Sequence, residues 1–415
     1  MSSFIRIHVS VLAAVLLASG AKAAESSTPP LALREVLESV RRDNPALQAA
    51  RLRWEAALKR VAAAATPDQP RLELERMYAP SGADPFSGAD EKAFSVRQEI
   101  PFPSTLYLRH GAAARDAAIE EQRWRGTLIE LLARARSAYA ALFLADRSLA
   151  IYDENISVMR RFAKVSESKL AAGRGRQADA LKAQVELTRL LNMRETLTAE
   201  RESSSAALAA LMGREDPARL GPVQEPAAPA LAASLEDLEA ALSGQPALKG
   251  AALGVERART ELALARSEFL PDLMFQYRRR SDPLRGRTHD AVLGLSLPLW
   301  FWKPASLAAE AKARQAASEA ELRAARLGAR ADLRTAWARV ETARRLLDAY
   351  RGALLPQAEE SLNVAETGYG SDRLGFLDLL DAQRSLLGYR LEYCQVQAEY
   401  EQRLADLEIA AGKEL

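Results

Sequence analysis

The stretch G-Y-G-S-D-R-L-G-F-L-D-L-L-D-A-Q, from Gly368 to Gln383, is matched earlier in the chain by G-R-G-R-Q-A-D-A-L-K-A-Q, from Gly173 to Gln184. In each stretch, glycines that can end one helix precede a segment that can start another. Two such matching turns, each between long helical segments, indicate a fold made of two similar helical hairpins in tandem.

The match between the two halves extends beyond these turns. Apolar positions are related by a constant offset of 198, namely Ala135, Leu142, Leu149 and Ile156 against Leu333, Val340, Leu347 and Leu354. Later in each half the offset is 199, which relates Asp179, Gln184, Leu208 and Gly213 to Asp378, Gln383, Leu407 and Gly412. The seven-residue spacing of the first set is typical of left-handed coiled coils. We predict a first repeat over residues 24–213, a linker over 214–233 and a second repeat over 234–415.

Each repeat is predicted to contain a short helix, a longer helix, a β-hairpin, a very long helix and a returning helix. The strands are recognised by a change of hydrophobic period from about 3.6 to 2. In the first repeat we predict helices at 33–42, 45–65, 104–172 and 177–212, with strands at about 71–78 and 93–100 joined by a polar loop over 79–92. In the second we predict helices at 235–242, 246–268 and 305–367, with strands at about 272–279 and 290–297 around a polar loop over 279–290.

The N-terminus has the pattern of a secretory signal peptide. Arg6 precedes an apolar core, and Ala21-Lys22-Ala23 fits the A-x-A cleavage pattern. We therefore expect residues 1–23 to be removed. The whole chain has 57 Lys and Arg against 55 Asp and Glu, and loss of Arg6 and Lys22 balances the two counts. A neutral chain gives no reason to expect nucleic acid as a partner.

The alternation in the four strands predicts two different sheet faces. We expect one face to meet lipid, with Leu72, Leu74, Phe94, Val96, Phe275, Tyr277, Leu293 and Leu295, and the other to meet a lumen, with Glu73, Ser95, Arg97, Gln276 and Ser296. Aromatic residues cluster at the strand ends, as they do at bilayer interfaces: Tyr78, Phe102, Phe269, Trp300, Phe301 and Trp302. Four short strands cannot close a barrel alone, so several chains would have to contribute strands. The alternative is a hairpin pair packed on the helices of one soluble chain.

Residues with catalytic potential are sparse. The two histidines of the mature chain, His110 and His289, lie in no catalytic-triad or zinc-binding pattern, and Cys394 is the only cysteine. The sequence therefore predicts no enzyme, no cofactor and no metal site.

Three motifs resemble those of the TolC-type outer membrane efflux protein family. They are N-P-A-L at Asn44–Leu47, the prolines that close the hairpins at Pro101 and Pro298, and L-D-L-L-D-A-Q from Leu377 to Gln383. The resemblance covers Leu33 to Leu415. It implies a mainly α-helical fold with a small β part, in which a homotrimer builds a twelve-stranded β-barrel from four strands per chain and a long α-helical barrel.

The resemblance also implies a function. It predicts the outer membrane channel of a tripartite efflux system, reaching into the periplasm and working with a periplasmic adaptor (membrane fusion protein) and an inner-membrane pump. The compact length, without a lipidated cysteine, resembles the heavy-metal, CzcC-like branch, whose cargo would be metal cations. The competing interpretation is a periplasmic coiled-coil adaptor or scaffold, which would also be exported and rich in helical hairpins.

The resemblance also implies roles for residues in the stretch from Gly368 to Gln383. Asp378 and Asp381 match the aspartates that form rings at the closed periplasmic tip, and Tyr369 matches a tyrosine that helps to hold it closed. The family's gate arginine falls on Leu374, so either Arg373, one place away, takes over its role or the role is lost. The alternative for two carboxylates at i,i+3 spacing is an ordinary solvated helix face. Docking to the adaptor is expected at the two turns, with Gly173, Gly175, Arg176, Gly370 and Ser371.

Overall fold

A computed structural model describes residues 30–77, 91–217, 220–226, 233–282 and 286–415. The predicted signal peptide, Tyr78 and most of the first hairpin loop lie outside these ranges. The helices and strands follow the predicted order: α1 (Leu33–Asp43), α2 (Pro45–Ala64), β1 (Arg71–Met77), β2 (Glu91–Ile100), α3 (Pro103–Ala171), α4 (Gln177–Leu211), α5 (Leu235–Ala241), α6 (Pro246–Ser267), β3 (Asp272–Asp282), β4 (Gly286–Ser296), α7 (Trp302–Ala349), α8 (Leu355–Gly370) and α9 (Phe376–Ala411). The fold is mainly α-helical with a small β part, as expected.

The N-P-A-L motif shows how sequence sets local structure. The Asn44 side chain caps α2 by accepting hydrogen bonds from the backbone N–H groups of Ala46 (2.9 Å) and Leu47 (3.1 Å). Its amide group also donates to the Leu211 carbonyl, 2.8 Å away at the end of α4. In the second repeat, Gln245 donates in the same way to the Ala410 carbonyl at 3.1 Å. Asn44 and Gln245 therefore fasten the start of the second helix of each repeat to the last helix of the same repeat.

The four strands form one antiparallel sheet in the order β1-β2-β3-β4. The central pair, β2 and β3, comes from different repeats, and Val96 lies opposite Tyr277. The register places all the predicted lipid-facing residues on one face and all the predicted lumen-facing residues on the other. On the first face Leu72, Leu74, Leu293 and Leu295 are exposed, whereas Ser95 and Gln276 on the second are buried. The predicted alternation is therefore confirmed in the strand register.

The predicted loop over residues 279–290 was wrong. β3 and β4 continue through most of it, with Arg279 opposite His289 and Arg280 opposite Thr288. Charged side chains on both faces hide the period-two pattern there. They do not interrupt the backbone hydrogen bonds of the ladder, because those bonds need no particular side chain.

The helices pack along the predicted seven-residue seam. Ala135, Leu142, Leu333 and Val340 are completely buried, which supports the coiled-coil prediction. α3 alone has 69 residues and contacts α2, α4, α6 and α9. None of the described helices is both long and apolar enough to cross a membrane.

The predicted uninterrupted helix over 305–367 was wrong at one point. A π-helical turn, Tyr350–Leu354, separates α7 from α8, and the Leu355 N–H donates to the Tyr350 carbonyl five residues earlier. Pro356 follows at once and has no N–H to give to the regular ladder. The offset between the repeats is 198 up to Leu354 and 199 from Gly368, so the second repeat holds one additional residue between these two positions.

Part of the predicted linker packs against the first repeat. Leu31 and Val223 form a parallel bridge, and the single O–H proton of Tyr139 is shared between the carbonyls of Leu31 (2.9 Å) and Gln224 (2.8 Å). Burial raises the pKa of the Tyr139 phenol to about 12, so it stays a donor at neutral pH. The segment thus adds packing to the first core.

Candidate functional site

The two helix turns have the same backbone structure. We call residues 169–176, between α3 and α4, the first tip, and residues 368–375, between α8 and α9, the second tip. In the first, the N–H groups of Arg174 and Gly175 both donate to the Lys169 carbonyl at 2.9 Å. In the second, the N–H groups of Arg373 (2.8 Å) and Leu374 (3.1 Å) donate to the Gly368 carbonyl. Every one of these bonds is related to its counterpart by the offset of 199.

The tips differ in which position is glycine. Gly173 has a φ of 72° in the first tip, and Asp372 has a φ of 56° at the equivalent position of the second. Aspartate is one of the few residues that tolerate this left-handed conformation. A Cβ on Gly175 would lie 2.7 Å from the Leu170 nitrogen and 3.1 Å from Lys169 Cβ, so a side chain at this place of the first tip would require the turn to shift.

Leu374 has a packing role in the second tip. It occupies the place of Gly175, and its side chain lies over Gly368, where a Cβ would come within 2.5 Å of Leu374 Cδ1. Because Gly368 has no side chain, it leaves space for the Leu374 side chain in the second tip. The turn itself therefore accommodates the leucine at position 374, where the resemblance predicted the gate arginine.

Tyr369 is buried inside the protomer. Its ring packs edge to face against Phe376 with 5.7 Å between the ring centres, and its hydroxyl lies 3.4 Å from Ser166 Oγ on α3. Only 8% of its surface is exposed. The tyrosine therefore joins the second tip to α3 and α9 by packing.

Lys169 joins the two tips, and sequence reasoning missed it. Its Nζ donates to the Tyr369 carbonyl at 2.5 Å and to Asp372 Oδ1 at 2.6 Å, and it lies 4.1 Å from the centre of the Tyr369 ring. The hydrogen bond and charge of Lys169 lower the pKa of the Asp372 carboxyl. No local sequence pattern pairs Lys169 with the second tip. We call the contacts of Lys169 with Tyr369 and Asp372 the tip latch.

Asp378 and Asp381 are both exposed on α9. The Asp378 carboxylate accepts the Gly375 N–H at 2.9 Å and so caps the helix, where its charge also meets the positive end of the helix dipole. Asp381 lies one turn further along. Arg373 is exposed as well, so its side chain is open to contacts outside the chain.

Below the tips, polar pairs connect the first hairpin to α9. Buried Glu186 of α4 pairs with Arg384 of α9, and buried Asn155 of α3 accepts a hydrogen bond from the Gln383 side chain. The pKa of Arg384 is raised, first by its hydrogen bond to Glu186 and also by the nearby charge of Asp381. Sequence reasoning missed both pairs, because only the fold brings α9 beside α3 and α4.

Within the described ranges, no group of three or more His, Cys, Asp or Glu side chains could hold a metal ion. The carboxylates of Asp378 and Asp381 at the second tip are exposed.

Comparisons with known proteins agree with the repeat and the fold. The model of the "Outer membrane efflux protein" family matches residues 36–214 and 238–413, one match for each repeat. The cobalt-zinc-cadmium resistance protein CzcC of Cupriavidus metallidurans is 24% identical over 74% of this chain and 73% of its own length. Protein CyaE of Bordetella pertussis is 27% identical over 92% of this chain and 84% of its own length.

A solved structure of CusC has the same fold. The alignment covers 92% of this chain and 92% of the CusC chain, with a TM-score of 0.80 and 17% sequence identity. The adaptor or scaffold interpretation is overturned by the family match, which spans both repeats. The protein acts in the outer membrane and extends into the periplasm, and it is a channel component, not an enzyme. By sequence and by fold, the chain belongs to the outer membrane efflux protein family.

Proposed function

We propose that three copies of this chain form one efflux channel, which works with a periplasmic adaptor and an inner-membrane pump. The observation that carries the proposal is the open sheet. Among the described residues, its edge strands β1 and β4 each have a strand on one side only, and one of its faces carries exposed apolar side chains. In lipid, unpaired edges are strongly unfavourable, and pairing β4 of one copy with β1 of the next removes them. Three copies would together give twelve strands, the number that the resemblance to the family implies.

The assembly is tested by light scattering on the mature protein purified from outer membranes in mild detergent. The proposal expects a single species with three times the mass of one chain. A monodisperse monomer that still conducts ions in a planar bilayer would contradict it.

We infer that the second tip forms the pore constriction and that the cargo includes metal cations. The support is the exposed position of Asp378 and Asp381 and the similarity to a cobalt-zinc-cadmium resistance protein. Around a threefold axis each aspartate would become a ring of carboxylates, which attracts cations. Tyr369 would hold this tip by its packing, and Arg373 would be free to contact the neighbouring copy.

The constriction is tested with Asp378→Asn/Asp381→Asn. Asparagine removes both charges but can still cap α9, so folding is disturbed less than by alanine. We expect lower cation selectivity in single-channel recordings, with Asp348→Asn on the exposed side of α7 as the matched control. Unchanged selectivity in a well-assembled channel would show that these carboxylates do not line the constriction.

Adaptor docking is proposed at both tips. Arg176 and Ser371 are exposed there, and exposed turns on rigid helices are natural contact sites. Cysteines at these two positions should crosslink to the adaptor in intact cells, whereas Ala320→Cys on the exposed middle of α7 should not. Crosslinks from Ala320→Cys alone would refute docking at the tips.

A further inference from the structure

The exposed apolar face of the sheet changes character towards the loop end. Its cross-strand partners form successive rungs, from the end nearest the helices outwards: Ile100, Leu273 and Leu295; Gln98, Phe275 and Leu293; Leu72, Val96, Tyr277 and Ala291; Leu74, Phe94, Arg279 and His289; and Arg76, Lys92, Ser281 and Arg287. The first three rungs carry no charge. Basic side chains then occupy the last two.

Among the described strand side chains, acidic residues are confined to one face of the sheet, whereas basic residues occur on both faces. Among the strand residues whose side chains are described, every acidic one lies on the opposite face: Glu73, Glu75, Glu99, Asp272 and Asp290. The apolar face therefore ends in cations with no acidic side chain of the described strands beside them on that face.

The cations lie directly against exposed apolar side chains. Lys92, Arg279 and Arg287 are all exposed, and Arg279 is the cross-strand partner of Phe94, which is 43% exposed. The Tyr277 hydroxyl forms a 2.6 Å hydrogen bond with His289 Nδ1 at the same level. Successive rungs are about 7 Å apart along a strand. A single amphiphile could therefore place its chains on the apolar rungs and its head group on the cations.

We propose that Lys92, Arg279 and Arg287 form a collar that binds the phosphate groups of an outer-leaflet glycolipid. This rests on the proposed function, in which the apolar face meets lipid. The collar is at the end of the sheet away from α3 and α7, so with helices in the periplasm it reaches the outer leaflet. The lipid there carries phosphates on its sugars, and guanidinium groups bind phosphate oxygens in pairs of hydrogen bonds.

The test compares Arg279→Gln/Arg287→Gln with Arg278→Gln/Arg280→Gln. Both variants lose two positive charges at similar depth, but the second pair lies on the opposite face. Native mass spectrometry of the assembled protein in nanodiscs measures binding of bisphosphorylated lipid A, monophosphorylated lipid A and phosphatidylglycerol. We expect the collar variant to bind bisphosphorylated lipid A about 25-fold more weakly, at about fivefold per cation, and the control to be unchanged.

The outcomes separate the collar from the channel, because conductance is recorded on the same nanodisc samples after fusion to a planar bilayer. A conducting wild type with equal lipid A binding in both variants would overturn the collar alone. Wild-type protein that retains phosphatidylglycerol as strongly as lipid A would also overturn the collar. So would wild-type protein that binds monophosphorylated and bisphosphorylated lipid A equally. A wild type that neither inserts nor conducts would overturn the proposed function and the collar together.

Discussion

Replacing Lys169 with methionine should loosen the second tip without unfolding the chain. Methionine keeps the length and apolar stem of the side chain but loses the charge and all three latch contacts. The hydrogen bond from the ammonium group to the Tyr369 carbonyl contributes about 1.5 kcal/mol, at the low end for a charged donor. The contact with the Tyr369 ring adds about 0.5 kcal/mol. The total of about 2 kcal/mol corresponds to an increase of about 30-fold in the open population of the tip.

Amide hydrogen exchange over residues 369–374 measures this population directly. Lys169→Met should exchange about 30-fold faster in this segment, with unchanged exchange in the buried seam around Leu333. The matched control is Lys164→Met, because Lys164 lies on the same helix with its side chain exposed. Protection that stays at the wild-type level in Lys169→Met would refute the latch, and equal loosening in the control would show a general effect of charge.

The pH dependence gives a second readout of the same latch. Because Lys169 lowers the pKa of Asp372 below its ordinary value of 3.8, the ionised carboxylate contributes stability above that value. This stability is lost as the pH falls through the lowered folded-state pKa. Wild-type tip exchange, corrected for its intrinsic rate, should therefore accelerate on acidification below about pH 4. The methionine variant should lack most of this change, and an identical acid response in both proteins would contradict the assignment.

Three further changes test other parts of the structure. Leu295→Arg should impair outer membrane assembly more than Ser296→Arg, because a charge on the lipid face costs about 2–4 kcal/mol at the bilayer midplane. Equal trimer yields of the two variants on gels would argue against a lipid-facing position for Leu295. Tyr139→Phe should lower the free energy of unfolding by about 1–3 kcal/mol, since two carbonyls lose their donor; an unchanged denaturation midpoint would contradict this. Gly175→Ala should increase proteolysis at the first tip, because its Cβ meets backbone atoms, whereas Gly370→Ala, with open space around it, should not.

Much of the fold follows from local patterns in the sequence. Asn44, Pro45 and Gly213 mark helix ends through caps and a left-handed turn, and these signals act within a few residues. The strand faces also follow, because a period of two fixes which residues share a face. Where charges occupy both faces, as around Arg279, this pattern disappears and the strand ends cannot be predicted.

The contacts at the tips required the tertiary fold. Lys169 and Asp372 are 203 residues apart, and nothing local indicates that α3 reaches the second tip. The same holds for Glu186 and Arg384, which meet only because α4 and α9 are brought together. The sequence identified the carboxylates at the second tip, but not that Asp378 is also a helix cap.

The π-helical turn Tyr350–Leu354 compensates for a difference in length between the two repeats. The second repeat has one residue more than the first between the buried seam at Leu347 and the tip at Gly368. In a regular helix, one added residue would rotate everything beyond it by about 100° and move Tyr369 away from Phe376. A single wide turn confines that insertion to five residues. The π-helical turn therefore keeps Tyr369 on the side of α8 that packs against Phe376, although the second repeat is one residue longer.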